Sequence, residues 1–445
     1  MGGLEAPGVI GGMMRRKRIA TAALGSVAVV VLVAGCSSAV STDAATSVPT
    51  DASSEVSTSV VVSGQGFWDQ SVVHSLSISY DQADYDALIA AYIDTGEKEW
   101  IEATVVIDGA TFEDVGLKLK GNSSLKGLST DADAELSSEN PEDLPWIIDL
   151  DKFVDGQEYE GSVEFVIRGN SSETSLNEAV ALDLLEASGL AAEQAVATRV
   201  EVNGNEALRL VVENPDDSWV ERALTGSTAL YKAETGGDYS YRGDDPESYT
   251  DVFDQEAGED DLTPLIDFLQ FINESDDATF EAELGQHLDV TSFATYLAFQ
   301  ELVDNFDDID GPGNNSYLSY DASTGLMTVV SWDLNLAFGA SPGGGGQGQA
   351  QGRGQGQAQG QAQGGGGGGR GGGSNVLSER FLANASFAAL YQSELDRLTQ
   401  ELYTSGLAQN VLDSWTQTLE EGASDLVSSD VVSSEASSVA QYFDE

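Results

Sequence analysis

The sequence predicts an α+β fold, with a mixed or antiparallel sheet in the N-terminal portion and a mainly helical C-terminal portion. Three observations carry this. Two tight-turn signals, Asp108-Gly109-Ala110 and Asn203-Gly204, each separate runs rich in β-branched residues and so mark hairpins. Polar caps precede helical patterns between and after those hairpins. Beyond residue 375, apolar residues recur at helical spacing over 388–403 and 407–420.

The front of the chain stands apart from this fold. Arg15, Arg16, Lys17 and Arg18 form a basic region, residues 19–31 an apolar one, and Leu32-Val33-Ala34-Gly35-Cys36 a small-residue cleavage site before a cysteine. Residues 1–35 are therefore expected to be a lipoprotein signal peptide, with Cys36 as the lipidation site. The protein is expected to lie outside the cytoplasm, tied to the cell membrane by that lipid. Residues 36–66, rich in Ser, Thr, Val and Ala, read as a flexible stalk. The folded body is expected over 67–340 and resumes at 375–445, on either side of a Gly/Gln-rich tract at 341–374 that cannot bury a core. That tract is either a low-complexity insertion or a flexible lid.

Within the body, Leu76, Ile78 and Tyr80 alternate with serines in a strand over 75–80, and Asp81 caps a helix reaching Thr95. The first hairpin pairs 100–107 with 111–120, the second 199–202 with 207–212. A helix over 175–188 has a capping box, Ser175 with Glu178 three residues on, and stops at Gly189. Thr263 caps a helix to Asn273 with Pro264 in its first turn, and 291–303 is a further helix that leads into an Asp-rich loop.

Composition excludes several chemistries. Cys36 is the only cysteine and is consumed by the expected lipid, which leaves no disulfide, thiol nucleophile or Cys-based zinc site. His74 and His287 are the only histidines, too few for a Ser-His-Asp triad or a His-rich metal centre. The formal net charge is −56, and loss of the leader would make it more negative. Such a chain repels nucleic acid and anionic lipid, and either attracts basic partners or simply stays soluble.

Residues 304–339, DNFDDIDGPGNNSYLSYDASTGLMTVVSWDLNLAFG, are the most informative stretch. Strands over 316–320 and 326–331, turning at Ser323-Thr324-Gly325, would bring Asp310, Asn315 and Asp333 together as hard oxygen donors suited to Mg²⁺ or Ca²⁺. An EF-hand is excluded, because counting from Asp308 puts Pro312 at the fifth position and Ser319 at the twelfth. A solvated acidic loop explains 304–310 taken alone; the apolar run before Asp333 lifts the segment above that reading.

Asn314-Asn315-Ser316-Tyr317-Leu318-Ser319-Tyr320 and Trp332-Asp333-Leu334-Asn335-Leu336-Ala337-Phe338-Gly339 resemble the signature of the CotH kinase family, atypical secreted or surface protein kinases. The resemblance spans about 75–405 and is most specific in 304–339. It implies an atypical protein-kinase-like fold and transfer of the ATP γ-phosphate to Ser or Thr of an extracytoplasmic protein, one with basic or Ser-rich segments, using Mg²⁺ or Mn²⁺. Asp333, with Asn315, would hold the metal, and an upstream Asp would be the catalytic base. Asp310 is favoured by its Asp-x4-Asn spacing to Asn315; Asp307 and Asp308 are close competitors, and Asp304 is within reach.

On the nucleotide side, Lys118, Lys120 and Asn122 belong to a strand end and Gly-Asn-Ser-Ser turn that the family also carries, and Lys232 lies in a matching Leu-Tyr-Lys element. Glu178 is either the helix carboxylate that pairs with a nucleotide-binding lysine or a plain capping residue. One departure stands out: the strand after the turn, 145–152, is apolar and acidic until Lys152. A catalytically inactive scaffold of the same fold and a Ca²⁺-stabilised structural protein are the other readings.

Overall fold

Alternation in β1 (His74–Tyr80) buries Leu76 and Ile78 on one face and leaves the serines outside. A computed structural model describes residues 66–340 and 375–444, apart from 133, 135, 171, 235 and 236. The expected leader, Cys36, nearly all of the stalk and the 341–374 tract lie outside the described residues. Helix α1 (Gln82–Thr95) is capped by Asp81, whose carboxylate accepts from the Ala83 amide, and ends at the left-handed Gly96.

β2 (Ile101–Ile107) and β3 (Ala110–Leu119) form the first hairpin. Asp108 and Gly109 both take positive φ at its turn, and the Asp108 carboxylate reaches back to the His74 ring (2.6 Å) and the Ser75 amide (2.9 Å). Sequence reading left β4 (Trp146–Asp149) without a partner and missed β5 (Glu164–Ile167); both extend the sheet antiparallel from β3. β6 (Ala195–Val202) and β7 (Asn205–Glu213) turn at Asn203-Gly204 as expected. The strands run β1-β2-β3-β4-β5-β7-β6, and a parallel pairing of β6 with β1 closes them into a barrel around a core that includes Val105, Leu117, Ile148, Phe165 and Val200.

The second layer is a four-stranded antiparallel sheet of order β11-β10-β8-β9, built from β8 (Ala229–Ala233), β9 (Phe253–Gly258), β10 (Ser316–Asp321) and β11 (Leu326–Ser331). Helix α2 (Leu176–Ala187) follows β5, α3 (Asp217–Ala223) follows β7, and α4 (Thr263–Glu274), α5 (Asp277–Glu283) and α6 (Val290–Leu302) lead up to β10. After the tract come α7 (Val376–Ala383), α8 (Ala385–Leu398), α9 (Leu407–Gly422) and α10 (Ser429–Ala440), with a π-helical turn between α8 and α9. The fold is α+β, as expected.

Two caps differ from the sequence reading. Thr263 lies inside α4, and Asp261 accepts from its amide (2.9 Å). The capping box on α2 does not form: Ser175 is left-handed (φ 54°) and makes no side-chain cap. Instead Glu435 of α10 accepts from the Glu173 and Thr174 amides (3.0 and 3.1 Å), so the end of the chain fixes the entry to α2 and Glu178 is released for another partner.

Asp183 of α2 is half-buried where it accepts from Gln70 (2.7 Å) and Trp415 of α9 (2.8 Å), and burial pushes its carboxyl up to about 7. Glu193, which is buried, is pushed up to about 8 for the same reason. Both take up a proton on folding, so their stabilising effect is complete below the unfolded values of 3.8 and 4.5 and is lost as pH rises through about 7 and 8. The melting temperature should therefore be several degrees higher at low than at high pH across this window. The double variant Asp183→Asn/Glu193→Gln should flatten that slope in scanning calorimetry; an unchanged slope would show that these groups do not set it.

Candidate active site

Asp333 follows β11 directly and sits at φ 60°, a left-handed position that Asp tolerates better than most residues. That turn directs its carboxylate to the Arg168 guanidinium, which comes from the end of β5. Arg168 also grips Glu178 of α2 in a two-point contact, Nε to Oε2 at 3.0 Å and Nη2 to Oε1 at 2.9 Å. Arg168 and Glu178 are buried, while the Asp333 side chain keeps a quarter of its surface exposed. Burial opposes the Arg168 charge, but Asp333 and Glu178 more than offset it and hold the guanidinium well above its ordinary value. The Glu178 carboxyl is raised by burial and by Asp333, with Arg168 pulling the other way.

The backbone of Arg168 is fixed as firmly as its side chain. Its amide donates to Leu210 (2.9 Å), and its carbonyl accepts from the buried Arg209 guanidinium (2.5 Å). Asn177 of α2 donates to the Asn335 carbonyl (2.6 Å), a second tie between α2 and the segment after Asp333.

The Asp-rich loop is seated by a polar chain from α6. Gln300 donates to Ser331 (2.7 Å) and accepts from Asn305 (2.9 Å), all three buried. Asp308 accepts from the Asp310 and Gly311 amides (2.9 and 3.0 Å), so its carboxylate shapes the loop. Asp307 is bonded to Asn315 and lies in the field of Asp333; burial, then Asp333, pushes its carboxyl up to about 6 against the effect of Asn315. Asp310 lies in the field around Tyr296, whose hydroxyl accepts from the Ile309 amide (3.2 Å). Asp304 takes a positive φ where the loop leaves α6. The structure thus draws Asp307, Asn315 and Asp333 together. Among the described residues, no group of three or more His, Cys, Asp or Glu side chains is arranged to hold a metal.

Beside this cluster lie most of the lysines. Lys120 is partly buried over the Trp332 ring (5.3 Å) and donates to Asn214 (2.6 Å), which donates to Glu164 (2.6 Å). Burial drives the Lys120 ammonium below its ordinary value, as do Lys232 and Arg168, while Glu164 and Glu256 oppose the shift. Lys118 and Lys152 stack on Trp100 (4.4 and 4.5 Å). Lys98 donates to Asn122 (2.9 Å) and shares the field of Lys118 and Lys232. Lys232 donates to the Ala233 carbonyl (3.1 Å) and approaches Glu234 (3.6 Å) and the Tyr317 ring (5.9 Å). Five of the chain's seven lysines therefore cluster in one region of a strongly acidic protein.

Of the residues singled out in the sequence, the structure brings Asp307, Asn315 and Glu178 around Arg168 and Asp333 and sets Lys118, Lys120 and Lys232 in one lysine cluster with Asn122 bonded to Lys98, while Asp308 shapes its own loop and Asp310 lies by Tyr296. Sequence reasoning offered Glu178 a lysine, whereas its partner is Arg168. Lys98, Trp100, Asn214 and Glu164 were also missed. The scarcity of lysine was the one signal able to find Lys98.

Replacing Arg168 with Ala would leave Glu178 and Asp333 facing each other without compensation, a change that costs about 3–5 kcal/mol for a buried pair. Denaturant unfolding should show that loss, and the double variant Arg168→Met/Glu178→Met should recover much of it. Equal stability of Arg168→Ala and wild type would mean that the bridge does not hold the two layers.

A family model described as CotH kinase protein matches residues 117–442. The chain is 25% identical over 260 residues to the inner spore coat protein H of Bacillus subtilis (strain 168), an alignment that covers 57% of this chain and 66% of that protein. Among solved structures, it matches the crystal structure of the Helicobacter pylori proinflammatory kinase CtkA at 9% identity and a TM-score of 0.29, over 64% of this chain and 87% of that one. The family match takes in Arg168, Glu178, the Asp307–Asn315 loop and Asp333, and the chain belongs to the CotH kinase protein family.

Proposed function

We propose that this protein is a metal-dependent protein kinase of an atypical kinase-like fold. In this reading it is carried on the outer face of the cell membrane by a lipid on Cys36 and phosphorylates Ser or Thr of extracytoplasmic proteins with ATP. The observation that carries the proposal is the cluster of lysines beside the Arg168, Glu178 and Asp333 bridge, with Lys120 and the Arg168 guanidinium over the same Trp332 ring. In a chain of net charge −56, a cluster of cationic side chains beside paired carboxylates suits a polyphosphate better than any other common substrate.

Lys120 and Lys232, with Lys98 and Lys118 behind them, would neutralise the phosphates. Asp333, Asn315 and Asp307 form an all-oxygen donor set of the kind Mg²⁺ and Mn²⁺ take, whereas His74 is held by Asp108 and His287 is stacked on Phe271 (3.9 Å). When bound, the metal supplies charge neutralisation on the phosphate oxygens. Asp310 is assigned the substrate hydroxyl. Its carboxylate takes the proton as the substrate oxygen bonds to the γ-phosphorus and the bond from that phosphorus to the bridging oxygen breaks, releasing ADP.

One observation favours a second reading, a surface scaffold or binding lipoprotein without chemistry: Arg168 already occupies an oxygen of Asp333. Labelled ATP separates the two. The kinase reading predicts metal-dependent transfer to the protein itself or to Ser-rich basic peptides, a loss of about 10²–10³-fold in Asp333→Ala, and a similar loss in Asp310→Asn with nucleotide binding retained. No transfer by the wild type, or undiminished transfer by Asp333→Ala, would overturn it.

A further inference from the structure

Away from this site, a cavity of about 350 Å³ opens between α1, the β6–β7 turn and the loop that carries Ser138 and Pro141. Its wall is built around two tyrosines. Tyr80, at the end of β1, and Tyr85, in the first turns of α1, stack with ring centroids 4.9 Å apart and planes inclined by 13°. Tyr85 is locked in place: its hydroxyl donates to the Ser138 carbonyl (2.7 Å) and its ring leans on Trp146. The Tyr80 hydroxyl is shielded from solvent and has no hydrogen-bond partner, as is true of one carboxylate oxygen of Glu142 nearby.

The charges around this cavity have one sign. Asp86 and Glu139 line it, and the groups whose fields reach Tyr80 and Tyr85 are Asp86, Glu139 and Glu142, with no basic side chain among them. Gln82 donates to Asp86 (2.9 Å), which leaves the second oxygen of that carboxylate for another donor. Asn203 and Asn205 supply neutral polar groups at the rim, and Ile89 and Ala90 an apolar patch.

A recess of this volume is within the range of small-ligand sites. Aromatic faces with carboxylates around them select organic cations, because the ring quadrupole and the carboxylates both attract positive charge while the apolar wall favours an alkyl chain over a hydrated metal ion. The shielded Tyr80 hydroxyl, without a partner, is an acceptor waiting for an N–H donor.

We infer that the cavity walled by Tyr80 and Tyr85 and edged by Asp86 and Glu139 is a binding site for an alkylammonium group, separate from the proposed phosphoryl-transfer site. The ammonium comes either from a free amine or from a lysine side chain of a peptide. It sits against Tyr80 and the two carboxylates with its alkyl chain toward Ile89.

Calorimetric titration of the full chain tests this at moderate salt, where attraction to the general acidic surface is screened. The probes are n-butylammonium, spermidine and a lysine-rich peptide, with Mg²⁺ as the inorganic comparison. Saturable 1:1 binding is expected for at least one organic probe, and it should weaken tenfold or more in Asp86→Asn/Glu139→Gln, whose residues are exposed and not needed for folding, and in Tyr80→Leu. Binding of the free amines identifies a small-molecule site, and binding of the peptide alone identifies a lysine side chain as the ligand. Two outcomes overturn the inference: no saturable binding of any organic cation, or binding that both variants leave unchanged. Because the readout needs neither ATP nor phosphoryl transfer, its failure would not bear on the kinase reading.

Discussion

The two-sided grip of Arg168 is the constraint on which the rest of the site depends. Its guanidinium joins the end of a barrel strand, the first turn of α2 and the residue after β11, elements that are distant in sequence and belong to different layers. The Glu178 contact is bidentate, which fixes direction as well as distance. A lysine, with one ammonium centre, could not reproduce that fork and reach Asp333 as well. Burial makes the arrangement all-or-none, because two carboxylates and one guanidinium are tolerable out of water only while all three are paired.

Around this bridge the molecule separates its charges. In a chain of net −56, most of the lysines are gathered into one cluster, several of them held against aromatic rings. Trp100 takes Lys118 and Lys152, and Trp332 takes Lys120 with the Arg168 guanidinium 5.7 Å away. Stacking on a ring keeps an ammonium desolvated and in place without spending a carboxylate on it. The backbone is tight where the loops of Gly237 and Gly313 meet: a Cβ on Gly237 would come within 2.4 Å of the Gly313 backbone, so both positions need glycine.

Features set by local chemistry were readable in the sequence. Asp108-Gly109 and Asn203-Gly204 turn the chain as their type requires, Asp81 caps α1, and β10 and β11 pair around the expected turn. Asp333 and Asn315 were legible because turn residues and an apolar strand frame them. What stayed hidden depends on partners far along the chain. Ser175 and Glu178 have the spacing of a capping box, but Thr174 accepts from the Leu176 amide, Glu435, 261 residues from Thr174, fixes the turn before the helix, and Glu178 turns to Arg168. Lys98 and Lys152 look like ordinary surface lysines until the barrel brings them beside Lys118. No periodicity marks Asp183 or Glu193 as shielded from water, because their surroundings come from α9 and from neighbouring strands.

The most direct test of the lysine cluster as a polyphosphate site is calorimetric titration of the full chain with ATP, with and without Mg²⁺ or Mn²⁺, for the wild type and for Lys120→Met. The arrangement around Arg168 predicts saturable heat that needs the metal and falls at least tenfold in Lys120→Met while the fold is retained. Absence of heat with either metal, or equal binding by the variant, would contradict it.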